Sequence, residues 1–247
     1  MIRRPPRSTL SSSSAASDVY KRQVQTMNKK IFTKLLGYSQ NDLTKITQPF
    51  IKETFGVEVK RCDSIEEYVN VIDDACLHKY FSKYWQNDMK KWKYSGLSLI
   101  DEVNGLKPRA VLDVGCGYNE FKGRIHNLIG IDPYNDKADF EAGTLDYKTE
   151  QKFDIILCLG SVNFGSKEKI IAEVGRCVQL LANNGLMFFR VNPGLSHDKP
   201  EADWIEFFPW NVPFIIELSE MYNLKILDIR DDTNSRKYFV YKKHGAQ

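Results

Sequence analysis

"VLDVGCGYNEFKG", residues 111–123, is the stretch on which the reading of this chain turns. It opens with strand-forming residues and runs through Asp113-Val114-Gly115-Cys116-Gly117. With no side chain at two of the last three positions, the backbone there can approach a ligand closely. A dinucleotide pyrophosphate would call for a third glycine at position 120, at the start of a helix. This chain has Glu120 there, a carboxylate where phosphate charge would sit. The spacing disfavours a nicotinamide-dependent oxidoreductase, which is kept as the weaker alternative.

Outward from this turn, short apolar runs alternate with helical patterns, which predicts an α/β sheet. The runs are "RAVLDVG", "NLIGID", "ADFEAG", "FDIILCLGS", "LMFFRV", "LKILDIR" and "KYFVYKK". From Ile155 to Leu159 "FDIILCLGS" is apolar without interruption, as expected of a central parallel strand covered on both faces. Ser166 is placed to cap a helix reaching about Leu181, stopped by "ANNG". Another helix is predicted from about Asn211, with Pro213 in its first turn. "DDTNS" is too short for a parallel crossover, so the last two strands must form an antiparallel hairpin.

Asp132 follows Asp113 by nineteen residues, at the end of the second strand, where a carboxylate accepts from both hydroxyls of a ribose. That feature selects a ribose and not one cofactor. Asp146, after the third strand, is placed to accept from an adenine amino group.

Before the sheet, residues 27–105 read as a mostly helical extension or lid. Ser64 and Glu67 form a capping box. Phe81, Tyr84, Trp85, Met89 and Trp92 share one face of a predicted helix over "HKYFSKYWQNDMKKWKY". Packing is the favoured role of that face over stacking on nucleic acid, with Tyr84 or Trp85 as a cover for the cofactor. Residues 1–26 read as a disordered artefact, since "DVYKRQ" resembles a translated sequencing adapter fused ahead of a start near Met27.

Charge supports a small ligand over a polyanion. The formal net charge is +3, but residues 1–23 hold five basic groups and one acid, so the rest stands at −1. The basic footprint of a duplex-binding protein is missing. No apolar run has the length of a membrane span. The five cysteines are scattered without C-x-x-C, which predicts reduced thiols and a cytoplasmic setting. The four histidines are too far apart to suggest a metal site. Oligomeric state is not encoded in any recognisable pattern.

"VLDVGCGYNEF", "LIGIDPY", "GTLDY", "FDIILCLGSVNF" and "CVQLLANNGLMFFRV", in this order, resemble the class I methyltransferases that use S-adenosylmethionine. The resemblance covers residues 108–243, within a domain drawn at 106–247. It implies a Rossmann-like seven-stranded sheet, last strand antiparallel, with helices on both faces. It further implies that Gly115 and Gly117 accommodate the methionine part of S-adenosyl-L-methionine. Asp113 would lie near its amino group, Asp132 on the ribose and Asp146 beside the adenine, with Leu159 and Gly160 lining the site. Such a cofactor has no phosphate, so a third glycine is not needed. A non-catalytic cofactor-binding module is the alternative from another class.

For the methyl acceptor, "LGSVNF" lacks the D/N-P-P-Y of DNA amino-methyltransferases, and no Pro-Cys nucleophile is present, which points to a small-molecule or sugar-like acceptor. The loop "NPGLSHDKPEADWIEFFPW" offers His197 beside Asp198 as a candidate catalytic base. Trp204, Phe207, Phe208 and Trp210 are candidate pocket walls, and Asn163 a candidate polar contact. Cys116 reads as a buried filler with nothing near to activate it.

Overall fold

The computed structural model describes residues 52, 71, 74, 75, 77–85, 88–195, 205 and 207–245. The chain divides into two compact units, Met1–Cys76 and Leu77–Gln247. In the first, the described residues Lys52, Val71, Asp74 and Ala75 are helical. The adapter-like segment, the Ser64–Glu67 capping box, His197, Asp198 and Trp204 lie outside the described residues.

The second unit is built on one sheet ordered β2-β1-β3-β4-β6-β5. Its strands are β1 Val111–Val114, β2 Leu128–Ile131, β3 Phe153–Leu159, β4 Leu181–Val191, β5 Leu224–Asp232 and β6 Arg236–Lys243. The first four pair in parallel, and β6 enters antiparallel between β4 and β5. The hairpin expected from "DDTNS" forms, turning through Asn234 and Ser235 at φ of 59° and 57°. Between Phe153 and Ile155 the register of β3 on β4 shifts, so Leu181 pairs with Phe153 and Leu186 with Ile155. The "ANNG" residues lie between those two pairings.

Both faces are covered, as the apolar run of β3 requires. Helices α1 Ser98–Gly105, α2 Lys167–Leu180 and α3 Val212–Met221 do this. On one face α2 and α3 bury Ile170, Val174, Phe214 and Ile215 against Ile156, Cys158, Met187 and Phe189. On the other, Leu99 and Val103 of α1 join Phe121 and Ile125 over Val111, Ile155, Leu157 and Phe188. The predicted Ser166 cap is present, Lys169 N–H donating to its Oγ at 3.3 Å, and at the start of α3 the Phe214 N–H donates to Asn211 Oδ1 at 2.9 Å. No helix among the described residues is long and apolar enough to cross a membrane.

Two expectations are corrected. Among the described residues the sheet has six strands and not seven, because "ADFEAG" makes a single parallel bridge, Ile131 with Phe140. The Asp139 carboxylate accepts the Gly130 N–H at 2.8 Å, the donor that the next rung of pairing would use. Lys122 Nζ holds that carboxylate in place at 2.7 Å. The helix expected from His78 through Trp92 stops early. A π-helical turn, Tyr80–Tyr84, ends at Trp85, whose backbone is extended (φ −73°, ψ 129°). The aromatic stripe therefore separates: Phe81, Tyr84 and Trp85 pack with Tyr80, Phe164 and Phe207, whereas Met89 joins the α1 core.

Phe189 is fully buried, stacked on Phe239 with centroids 4.9 Å apart and in contact with Trp210 and Tyr241. Phe189→Ala is expected to cost about 3–5 kcal/mol of unfolding free energy. Phe140→Ala, at a half-exposed ring, should cost well under half of that. Urea titrations of the two variants and the parent check both values.

Candidate functional site

The strand order reverses direction at β1: the chain passes from β1 to β2 on one side and returns to β3 on the other. Ligands of open α/β sheets bind at the carboxyl ends of the strands at such a switch. A cleft of about 730 Å³, part of it open to solvent, lies at that edge. Its walls come from the ends of β1 to β4, the start of β6 and the segment ahead of α1.

Gly115 and Gly117 form the floor with φ of 67° and 56°, in the left-handed region that glycine adopts at little cost. A Cβ on Gly115 would stand 2.2 Å from Ser161 Cβ, and one on Gly117 would stand 2.9 Å from the Trp85 ring. The turn is thus clamped between the tip of β3 and an aromatic cover. Of the two covers expected from sequence, it is Trp85 that lines the cleft.

The N–H groups of this turn do not face a ligand. Those of Gly115 and Cys116 donate to Ile131 O at 2.8 and 3.0 Å, and that of Gly117 donates to Asp132 Oδ2 at 3.0 Å. The second Asp132 oxygen accepts from Tyr134 N–H at 2.8 Å. Asp132 is buried, and burial raises its carboxyl above the ordinary range although these N–H groups work the other way. Asp113 is also buried and lies outside the cleft lining. Its carboxyl is pushed up to about 7, first by burial and then by the charge of Asp132. Cys116 is buried, and its thiol is raised far above its usual range, chiefly by burial and then by Asp113, which makes it inert.

Of the residues singled out by sequence, the structure brings Gly115, Gly117, Asp132, Leu159, Gly160, Asn163, Phe207 and Trp85 to one cleft. Asp146 is exposed and is not part of it, because the reduced third strand leaves residue 146 in a surface turn. Trp210 is core: its Nε1 donates to Val162 O at 2.9 Å. Phe208 packs against that core. Asn163 ties two strand tips together, its Oδ1 accepting from Asn192 N–H at 2.9 Å.

Sequence reasoning missed Ser161, Tyr134, Arg190 and Arg236, all of which line the cleft. Ser161 Oγ is buried without a hydrogen-bond partner. Signals existed for two of them: Ser161 directly follows Gly160, and Arg190 closes the otherwise apolar run "LMFFRV".

No protein-family model matches the chain, and no curated protein does. Solved structures do. The Burkholderia thailandensis 1,6-didemethyltoxoflavin-N1-methyltransferase, with bound 1,6-didemethyltoxoflavin and S-adenosylhomocysteine, superposes with a TM-score of 0.53 at 16% identity, over 76% of this chain and 93% of that one. The fold is that of the S-adenosylmethionine-dependent methyltransferases. An S-adenosylmethionine-dependent methyltransferase from Clostridium acetobutylicum aligns at TM-score 0.48 and 13% identity, over 73% and 99% of the two chains. A sugar N-methyltransferase from Streptoalloteichus aligns at 0.45 and 13%, over 60% and 84%. At these identities the likeness to methyltransferases is one of fold.

Gly115→Ala should lower thermal stability, since it adds a clash with Ser161 to a left-handed φ that costs an L residue about 1–2 kcal/mol. Ser161→Gly in the same chain should recover the part due to the clash and leave the conformational part. Thermal melts of the single and double variants separate the two contributions.

Proposed function

We propose that this protein is an S-adenosylmethionine-dependent methyltransferase that acts on a small molecule. The observation that carries the reading is the electrostatics of the glycine turn. Its N–H groups are already donated to Ile131 O and Asp132, which leaves no cradle for a pyrophosphate. Two carboxyls, Asp113 and Asp132, stand there instead. A nucleoside that carries positive charge and no phosphate fits such a place.

In this reading the Asp132 carboxylate, which takes backbone N–H groups of Gly117, Tyr134 and Asn135, turns its remaining acceptor capacity to the ribose hydroxyls. The methionine chain runs along the cleft floor at Gly115 and Gly117, and Asp113 supplies charge beneath it. Leu159, Gly160 and the unpartnered Ser161 Oγ form the adjoining wall. Pro133 and Tyr134, which line the cleft past the end of β2, take the place assigned to Asp146.

When bound, the cofactor supplies a methyl carbon that accepts the acceptor's electron pair while the C–S pair leaves onto sulfur. The protein's part is alignment and exclusion of water, which can account for much of the acceleration. Phe81, Trp85, Phe164 and Phe207 wall the cleft for that purpose. Asn163 has its Oδ1 occupied by Asn192, so its amide Nδ2 is the group free to meet an acceptor. For an acceptor that carries a proton, His197 is the proposed base. The near-neutral chain behind the first residues has no footprint for duplex nucleic acid, which supports a small-molecule acceptor. Scattered cysteines, with Cys116, Cys158 and Cys177 as free buried thiols, support a cytoplasmic location.

Separate calorimetric titrations with S-adenosylhomocysteine and NAD test the reading: heat is expected only with the former, and heat only with NAD overturns it. Asp132→Ala is expected to weaken S-adenosylhomocysteine binding at least tenfold, in line with about 1.5–3 kcal/mol for a hydrogen bond to a charged group. pH provides a further test. Asp113 in the fold is neutral below about pH 7 and ionised above it, so a cationic ligand binds more tightly as pH rises from 6 to 8. Below pH 7 binding must expel the Asp113 proton, which titrations in buffers of different ionisation enthalpy detect. Asp113→Asn should flatten this dependence.

A further inference from the structure

The cleft has a second end, at the tips of β4 and β6, where the charge is of opposite sign. Arg190 and Arg236 line it, and both are more than nine-tenths buried. The Arg190 guanidinium lies over the Trp92 ring, 4.4 Å from its centroid. Its Nε is 3.4 Å from Asp232 Oδ2, an ion pair too poorly aligned to be a hydrogen bond. Its Nη2 donates to Thr233 O at 3.4 Å, a long contact.

Asp232 has little left to offer. It accepts from Ser95 Oγ at 2.5 Å, Thr233 N–H at 2.8 Å, Lys93 N–H at 2.9 Å and Tyr94 N–H at 3.3 Å. Burial opposes ionisation of this carboxyl, but the donors, Ser95 first, hold it below the ordinary range. It is charged, and its lone pairs are committed to residues 93–95 ahead of α1 and to the Thr233 N–H.

Among the described residues no carboxylate pairs with Arg236, and its Nη1 is buried without a hydrogen-bond partner. Burial lowers it to about 10, and the neighbouring charge of Arg190 acts in the same direction. Two guanidiniums therefore share one committed carboxylate, and the surplus positive charge faces the cleft. Buried charges in folded proteins are paired, and an unpaired one at a cavity wall marks the seat of an absent counter-ion. A guanidinium fork matches the two oxygens of a carboxylate or phosphate.

We propose that Arg236, with Arg190 beside it, binds an oxyanion carried by the methyl acceptor, so that the substrates of this protein are small acids bearing a carboxylate or a phosphate. The acceptor assignment rests on the methyltransferase reading, and the anion site itself does not. The position supports the acceptor over the cofactor: β3 lies between Arg190 and the carboxyl-bearing tips of β1 and β2, and both β3 and β4 lie between those tips and Arg236. Phe81, Trp92, Phe164 and Phe207, in the same cleft, suit an apolar body attached to the acidic group.

The test compares the whole protein with its Arg236→Met variant at constant ionic strength. Each is melted in chloride buffer and titrated calorimetrically with sodium phosphate, sodium benzoate and S-adenosylhomocysteine. In chloride the variant is expected to melt a few degrees above the parent, because it loses an uncompensated buried charge. The parent should bind phosphate or benzoate, whichever matches its natural acceptor group, and the variant should bind that anion at least tenfold more weakly. S-adenosylhomocysteine affinity should agree within twofold. A parent that binds neither anion overturns the proposal, as does a variant that binds them equally well. A tenfold loss of S-adenosylhomocysteine affinity in the variant makes the cofactor's own carboxylate the partner and also overturns it. A parent that binds the anion but not S-adenosylhomocysteine keeps the anion site and removes the methyltransferase reading. Arg236→Lys, which keeps the charge but loses the fork, gives the same comparison if the methionine variant does not fold, with a tenfold weaker anion affinity expected.

Discussion

The carboxylate of Asp132 joins the two strand tips on which the cleft is built. One oxygen takes the Gly117 N–H from the end of β1 and the other takes the Tyr134 N–H from the segment after β2. With Ile131 O accepting from Gly115 and Cys116, the turn is satisfied from inside the protein. A buried backbone donor without a partner is costly, so this arrangement decides what the turn can hold. It offers space and negative charge, and it does not offer N–H groups to an anion. Gly115 and Gly117 are required because the same fixed turn lies against Ser161 on one side and Trp85 on the other.

The cleft consequently has two ends of different character. Around β1 and β2 stand two buried carboxyls, and burial first, then the charge of Asp132, pushes that of Asp113 up to about 7. Around β4 and β6 stand two buried guanidiniums with a single committed carboxylate between them and the hairpin turn. Burial of these groups weakens the screening that water gives to exposed charges. A transfer from a cationic donor to an acidic acceptor places charge where each end lacks it. Asn163 and Ser161 lie between, at the tip of β3, where the two ligands would meet.

Most of the sheet was legible because its signals are local. The apolar run Ile155–Leu159 of β3, the Ser166 cap, Pro213 in the first turn of α3 and the short "DDTNS" connection each specify their own geometry within a few residues. Two elements were misread for the same reason. Whether residues 138–143 pair as a strand depends on Asp139 taking the Gly130 N–H, a contact across the chain that no periodicity records. The aromatic spacing from Phe81 to Trp92 fits a helix, but packing against Phe164 and Phe207 on one side and the α1 core on the other breaks it at Trp85. Tertiary contacts outweigh propensity in a short segment.

For the site, the amino-acid sequence by itself determined the glycine turn, Asp132 and the end of β3, because a strand, a turn without side chains and a carboxylate at the next strand tip are encoded in order along one stretch. It equally determined that a third phosphate-binding glycine is missing. Only the tertiary structure decided that Asp146 stands outside the cleft and that the turn's N–H groups are spent on β2. It also decided that Arg190 and Arg236, 46 residues apart, share one buried wall with Asp232 committed elsewhere. Charge balance in a cavity depends on which side chains exclude water together, and that is set by how strands neighbour one another in the sheet, not by their spacing along the chain.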